Sequence, residues 1–273
     1  MNKPQSGIRS VLITGGTSGL GLELSRLFLD RGFEVVVTGR KQVSPVLPCE
    51  RFRLFNVDFS NLAETAVTVN KICDSYNFEI VINNAGVLGP RNLIVTGNGH
   101  EYTFQVNFLA HLIVNEIIIR RRASDRPLTT AVITSLVYRI AGSDIVLPSA
   151  PGNYRPFKAY TGSKLFLALM CSHLSEKYME ANVKCIGFDP GVFSSGIFRM
   201  QNRFYRALYN IGAPFMRNPS KVAAILSELI DKEDLTGGSV YDLRKRIRRV
   251  PEVDSSVLND FWEQCDKSVA QFL

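Results

Sequence analysis

The sequence predicts an α/β fold, one domain in which a doubly wound parallel sheet of about seven strands carries helices on both faces. Three observations lead there. Apolar runs of strand length alternate with amphipathic stretches of helical length, beginning with "SVLITG", "GLELSRLFLDRG" and "EVVVTG", and this alternation builds βα units. Runs such as "EVVV" and "TTAVITS" are nearly continuous in β-branched residues, as suits strands buried on both faces. A glycine-rich turn, "TGGTSGLG", joins the first strand to the first helix.

In chain order, "SVLITG" is the first strand and "GLELSRLFLDRG" the first helix. The second strand, "EVVVTG", ends at a basic pair, Arg40 and Lys41. "RFRLFNV" is the third, closed by Asp58, and a helix follows over 61–76. The fourth strand, "EIVINN", leads through Asn84, Ala85 and Gly86 to a long helix over 98–122. "TTAVITS" is the fifth and ends at Ser135; helix 158–181, strand "VKCIGFD", helix 220–231, strand "GGSVYDL" and helix 254–270 complete the alternation. Two segments break it. Residues 136–157 are rich in Pro and Gly, and 192–219 interleaves aromatic residues from Phe193 to Phe215 with Arg199, Arg203, Arg206 and Arg217. Insertions at the carboxyl ends of strands are where open α/β sheets bind ligands, so 192–219 is expected to be a lid over a largely apolar small molecule. A core-packing helix or a dimer interface is the alternative for the same residues. With no repeat, low-complexity tract or linker, residues 1–273 are expected to form a single domain.

The bulk numbers exclude several classes. A chain of 273 residues, 45% of them apolar, can bury one sizeable core. Its five cysteines show no C-x-x-C spacing and read as reduced thiols in a cytoplasmic protein rather than a zinc cage or disulfide framework. The opening "MNKPQSGIRS" lacks the apolar core of a signal peptide, and no run of about 20 apolar residues suggests a membrane span. The net charge of +7 includes "RRR" at 120–122 and "RKRIRR" at 244–249. No nucleic-acid motif accompanies this charge, so a solvated face is expected and nucleic acid is not, while contact with an anionic membrane surface stays open. His100, His111 and His173 lack metal-ligand spacing, and no metal is expected.

Gly15, Gly19 and Gly21, with Thr17, Ser18 and Leu20 between them, form a turn through which backbone can approach a pyrophosphate at a helix amino terminus. The second strand should end in the residue that reads the adenosine ribose, an acid for a free 2′-hydroxyl or an arginine for a 2′-phosphate. Arg40 and Lys41 stand there, so NADP (as NADPH) is expected in preference to NAD. Asp58 is a candidate acceptor for the adenine amino group, or a helix cap.

"AYTGSKLF", 159–166, places Tyr160 four residues before Lys164, on one face of a helix. An unperturbed phenol, with a pKa of about 10, is a poor base at neutral pH, and a nearby cation favours its phenolate. A tuned phenol suits proton transfer to a carbonyl or from an alcohol.

With these motifs in this order, the chain resembles the short-chain dehydrogenase/reductase family, which implies a Rossmann fold. "TGGTSGLG" is similar to the family's cofactor loop, and "NNAG", residues 83–86, to its fourth-strand signature. The resemblance gives Asn107 the position of a helix-kinking asparagine that holds a relay water. It gives Ser135 the substrate-oxygen contact, Tyr160 the proton transfer and Lys164 the ribose contact. In "DPGVFSS", 189–195, it points to Pro190, Gly191, Val192 and Ser194 as neighbours of the nicotinamide. "GNGHEYTFQVNFLAHLIV" and "FWEQCDKSV" resemble the retinol dehydrogenase and protochlorophyllide reductase group.

The implied reaction moves a hydride between the nicotinamide and a carbonyl or alcohol carbon. Reduction of a carbon–carbon double bond, or nucleotide binding without turnover, remain alternatives. The resemblance also implies a homo-oligomer, dimer or tetramer, built through helices 98–122 and 158–181.

Overall fold

In the computed structural model, which describes residues 8–40, 50–122, 126–142, 154–191 and 217–273, eight strands form one sheet. These are β1 (Ser10–Thr14), β2 (Glu34–Gly39), β3 (Phe52–Asn56), β4 (Ile80–Asn83), β5 (Leu128–Ile133), β6 (Val183–Phe188), β7 (Val240–Tyr241) and β8 (Ile247–Arg248). The helices are α1 (Gly19–Asp30), α2 (Leu62–Cys73), α3 (Tyr102–Arg121), α4 (Pro156–Lys177), α5 (Pro219–Ile230) and α6 (Ser255–Ala270). Each lies on its sequence expectation to within a few residues. Local chemistry sets several starts: Asn61 accepts from Glu64 N–H at 3.1 Å before α2, and Asn218 accepts from Ser220 N–H at 2.9 Å before Pro219 opens α5.

The strand order is β3-β2-β1-β4-β5-β6-β7-β8, parallel throughout except that β8 runs antiparallel to β7. Chain direction across the sheet reverses between β1 and β4, which places the loops after these two strands at the switch point where doubly wound sheets hold ligands. Alternate residues of β1 divide between the two cores. Leu12 packs with α2, α3 and α4, whereas Val11 and Ile13 pack with α1 and α5.

The sequence reading lacks β8, two residues inside the "RKRIRR" run. It folds because Asp242 gathers that run, accepting from the main-chain N–H groups of Arg244 (2.8 Å) and Arg246 (3.0 Å) and pairing with Arg248 at 2.6 Å. Lys245 pairs with Glu228 and Arg249 with Glu252. In the other basic cluster, Arg120 meets Glu116 at 3.1 Å and Arg121 meets Asp74 at 2.6 Å. Several cations of each cluster are thus paired with acidic neighbours.

Helix α3 is the one helix among the described residues that is long and apolar enough to cross a membrane, and its apolar window is wholly buried inside the protein. It is enclosed because α6 forms a third layer over α3 and α4. Phe261 stacks on Phe166 with centroids 4.7 Å apart and lies 5.6 Å from Phe108, while Trp262 stacks on His173 at 3.9 Å. Phe261, Trp262, Cys265 and Val269 are all buried there. Phe261 and Trp262 of α6 thus cover part of the face of α3 and α4 at which the oligomer contact is expected.

Candidate active site

The two switch-point loops touch. A Cβ on Gly15 would lie 3.0 Å from Ala85 Cα, and one on Gly21 only 2.3 Å from the Gly15 carbonyl oxygen, so glycine at 21 is a steric requirement. Gly19 has φ +55° with open space around it, and Ser18, the residue before α1, makes no side-chain cap. The first N–H groups of α1 therefore face an uncrowded approach, which suits a diphosphate. Thr17 packs against Gly39 and Leu20 is buried.

Thr14, at the end of β1, ties the site together. Its hydroxyl oxygen accepts from Asn84 N–H at 2.9 Å and Ala85 N–H at 3.0 Å and lies 3.0 Å from His111 Nε2. The other ring nitrogen, His111 Nδ1, is 2.7 Å from the Asn107 carbonyl oxygen. A carbonyl only accepts, so the network assigns the proton to Nδ1 and leaves Nε2 to accept from Thr14. Burial pushes the His111 pKa down to about 4, and the ring is neutral at neutral pH.

Asn107 sits in a π-helical segment, Gln105–Leu109, that interrupts α3. Its side chain accepts from Val87 N–H at 2.8 Å and donates to the Val87 carbonyl at 2.9 Å and to Ser163 Oγ at 3.0 Å. Ser163 Oγ in turn donates to the Tyr160 carbonyl at 2.7 Å. The loop after β4, through Gly86, is thereby strapped to the tyrosine-bearing turn of α4.

Ser135 follows β5 and makes no cap to the short helix behind it. Its side chain stands close enough to the Tyr160 phenol to favour the phenolate. Lys164 Nζ donates to the Ile133 carbonyl at 2.8 Å, lies 5.8 Å from the Tyr160 ring centroid, and would stand 3.7 Å from a Cβ on Gly86. The expected tuning of the phenol below its usual pKa is outweighed by burial. Burial pushes Tyr160 above its usual value, Ser135 opposes that, and the Asp189 charge adds to it. Burial also lowers Lys164 itself to about 8.

The residues expected at the adenosine end are less closely knit. Arg40 is exposed beyond β2 and donates to the Tyr102 hydroxyl at 3.3 Å. Asp58 Oδ1 accepts from Ser60 N–H and Oγ, both at 2.9 Å, a local turn; the cap of α2 is Asn61. Pro190 and Gly191 follow β6 beside Ser135, with Gly191 at φ +65°. Lys41, Val192, Ser194 and the expected lid up to residue 216 lie outside the described residues. Among the described residues no group of histidine, cysteine and acidic side chains could hold a metal ion.

Sequence reasoning missed Thr14, Ser163 and Asp189 as parts of this site. Thr14 and Asp189 each stand at the carboxyl end of a strand, where such residues meet ligands, and that position was the available signal. Ser163 had none beyond its place between Tyr160 and Lys164.

The model of the short chain dehydrogenase family matches residues 9–206. Over 284 residues the chain is 22% identical to retinol dehydrogenase 13 of Mus musculus, covering 96% of this chain and 84% of that protein. It is 27% identical over 248 residues to the WW domain-containing oxidoreductase of Drosophila melanogaster; that match takes in 84% of this chain but only 60% of the relative's length. A 3-oxoacyl-[acyl-carrier protein] reductase from Brucella melitensis, solved in complex with NAD, superimposes with a TM-score of 0.66 at 20% identity, covering 88% of this chain and 96% of that one.

Proposed function

The chain belongs to the short-chain dehydrogenase family, oxidoreductases acting on CH–OH and C=O groups, and from that premise we propose that it is an NADPH-dependent reductase of an apolar carbonyl compound. The observation that carries this reading is the placement of buried Lys164, its Nζ donating to the Ile133 carbonyl at 2.8 Å and lying 5.8 Å from the Tyr160 ring centroid, beside the strand end that carries Ser135. A binding module has no need of a half-buried phenol beside a buried lysine.

The nicotinamide, when bound, supplies or accepts the hydride. The substrate oxygen takes a hydrogen bond from Ser135 and a proton from Tyr160 O–H. A phenol raised by burial holds that proton at neutral pH and gives it up to an oxygen that is becoming an alkoxide, which favours the reductive direction. Lys164, with Nζ 5.8 Å from the Tyr160 ring centroid, stabilises the phenolate as it forms. Asn107, whose main-chain oxygen accepts from His111 Nδ1, is given the relay-water position that the family resemblance implies.

Residues 14–21, 84–86, Pro190 and Gly191 are proposed to hold the cofactor, with Val192 and Ser194 completing the nicotinamide end. Arg40 and Lys41 are proposed to select NADP through its 2′-phosphate. The aromatic composition of 192–219 and the likeness to a retinol dehydrogenase support an apolar substrate. Cys73, Cys171, Cys185 and Cys265 are free thiols, which supports a reducing, cytoplasmic setting.

The test is NADPH consumption over a panel of apolar ketones, aldehydes and activated alkenes, with Tyr160→Phe as control. Turnover lost in the variant while NADPH still binds supports the reading, and turnover confined to alkenes replaces carbonyl reduction by double-bond reduction. Tight NADPH binding with no turnover across the panel removes the reductase reading.

A further inference from the structure

His111 stands where two polar clusters of the site meet, and the mechanism above gives it no step. On one side, the Thr14 hydroxyl accepts from Asn84 N–H at 2.9 Å and Ala85 N–H at 3.0 Å and meets His111 Nε2 at 3.0 Å. The Asn84 side chain also donates to the Thr14 carbonyl at 2.9 Å and the Gly15 carbonyl at 3.2 Å. This cluster fixes the two loops that are proposed to hold the nucleotide. On the other side, His111 Nδ1 donates to the Asn107 carbonyl at 2.7 Å, Asn107 Nδ2 to Ser163 Oγ at 3.0 Å, and Ser163 Oγ to the Tyr160 carbonyl at 2.7 Å. The imidazole therefore completes a hydrogen-bonded bridge from the loops after β1 and β4 to the turn of α4 that carries Tyr160.

The ring is wholly buried and firmly aimed. Asn115 Nδ2 donates to the His111 carbonyl at 2.7 Å, while Asn115 Oδ1 accepts from Thr130 at 2.6 Å and from Asn83 at 3.2 Å. That turn of α3 is thus pinned to β4 and β5, and Phe59 packs edge-on against the ring at 5.3 Å. Burying an imidazole costs free energy, and neither cluster needs it to hold its own form. Without the ring, the Thr14 hydroxyl still has the Ile82 carbonyl 3.5 Å away, and the Asn107 side chain still holds the N–H and the carbonyl of Val87. What the ring adds is the tie between the clusters. Gly86 lies beside that tie, for a Cβ there would be 3.5 Å from Asn107 Oδ1 and 3.7 Å from Lys164 Nζ. Hydride and proton go to neighbouring atoms of one substrate, and a misplacement of about 1 Å between the groups that deliver them costs about a hundredfold in rate.

We propose that His111 is a positioning residue whose two ring nitrogens join the nucleotide loops to the Tyr160 turn, so that hydride donor and proton donor are held in one frame. The proposal rests on the reductase reading above.

Three variants dissect the bridge. His111→Phe keeps a ring of similar size and removes both nitrogens. An asparagine amide reaches about as far as Nδ1 and a glutamine amide about as far as Nε2, so His111→Asn keeps only the bond to Asn107 and His111→Gln only the bond to Thr14. Each variant is measured for NADPH affinity by calorimetry, and for kcat and KM with the ketone or aldehyde that the parent turns over fastest, where circular dichroism shows the fold intact. In all three, kcat should fall about tenfold to a hundredfold while KM and the NADPH dissociation constant stay within about threefold. In a double-mutant cycle, Ser163→Ala should add little to the kcat loss of His111→Phe, because both cut one path. Unchanged kcat in His111→Phe, full recovery of kcat by either one-ended variant, additive losses in the cycle, or a loss of NADPH affinity as large as the loss of kcat would each overturn the proposal. Should His111→Phe fail to fold, the two one-ended variants carry the same measurements. A parent that turns over no carbonyl compound ends the reductase reading and the proposal together, whereas parental turnover with equal kcat in the variants removes the proposal alone.

Discussion

His111 Nδ1 donates to the Asn107 carbonyl at 2.7 Å across a single turn of α3. The bond spans the edge of a π-helical segment, where the regular ladder is interrupted and a carbonyl is open to a side chain. Because the same ring accepts from Thr14, the geometry of Asn107 and that of the loop after β4 depend on one neutral imidazole.

Stability should consequently fall in acid through His111. Its pKa drops from 6.5 to about 4 on folding, so the unfolded chain binds the proton first. The contribution is full above pH 6.5 and is lost as pH falls toward 4, by up to about 3 kcal/mol. Urea unfolding of the parent and of His111→Gln at several pH values between these limits tests this. The parent should lose stability more steeply than the variant, and parallel curves would show that the ring is not held neutral.

Lys164 predicts the opposite side of the pH scale. Burial depresses its pKa from 10.5 to about 8, so the folded protein carries an unfavourable buried charge at neutral pH that is relieved as pH rises through that interval. Lys164→Met should unfold at higher denaturant than the parent at pH 7, by about 1 to 3 kcal/mol. The advantage should shrink between pH 8 and 10.5. Reductase activity should be lost at every pH. A variant less stable than the parent at pH 7 would mean that the bond to the Ile133 carbonyl outweighs the buried charge.

Most of this architecture is legible in the sequence because it rests on period and punctuation. The β-branched runs mark strands buried on both faces, and glycines at 15, 19 and 21 mark a turn that only they can make. What was not legible depends on contacts between residues far apart in sequence. Thr14 and His111 are 97 positions apart, and nothing local to either announces the pair. β8 is hidden because its pairing follows from Asp242 gathering cations, not from an apolar pattern. The tyrosine–lysine spacing was readable, but the direction of the phenol shift was not, since it follows from burial and from Asp189.

The third layer bears on assembly. With α6 seated over α3 and α4, sedimentation should show no dimer built through those helices. Trp262 is buried and stacked on His173 at 3.9 Å, so Trp262→Ala should cost about 3 to 5 kcal/mol. The variant should also self-associate where the parent does not, because it loosens α6 over an apolar groove. A dimer of the parent whose cross-links join α3 to α3 would require α6 to be displaced, and would remove this account.

Arg40 gives the sharpest test of cofactor choice. It is exposed at the carboxyl end of β2, steadied at 3.3 Å by the Tyr102 hydroxyl, at the strand end that reads the adenosine ribose in doubly wound folds. No carboxylate occupies that strand end, and a guanidinium there can take two phosphate oxygens at once. Hydrogen bonds to a charged group contribute about 1.5 to 3 kcal/mol each. Arg40→Ala should therefore weaken NADPH binding by about tenfold to a hundredfold, measured calorimetrically, and leave NADH binding within about twofold. Arg40→Asp should go further and reverse the preference, since a carboxylate repels the 2′-phosphate and accepts from a free 2′-hydroxyl. Equal losses for both nucleotides in Arg40→Ala would place Arg40 in the shared part of the site, and unchanged affinity for both would return it to the solvated surface.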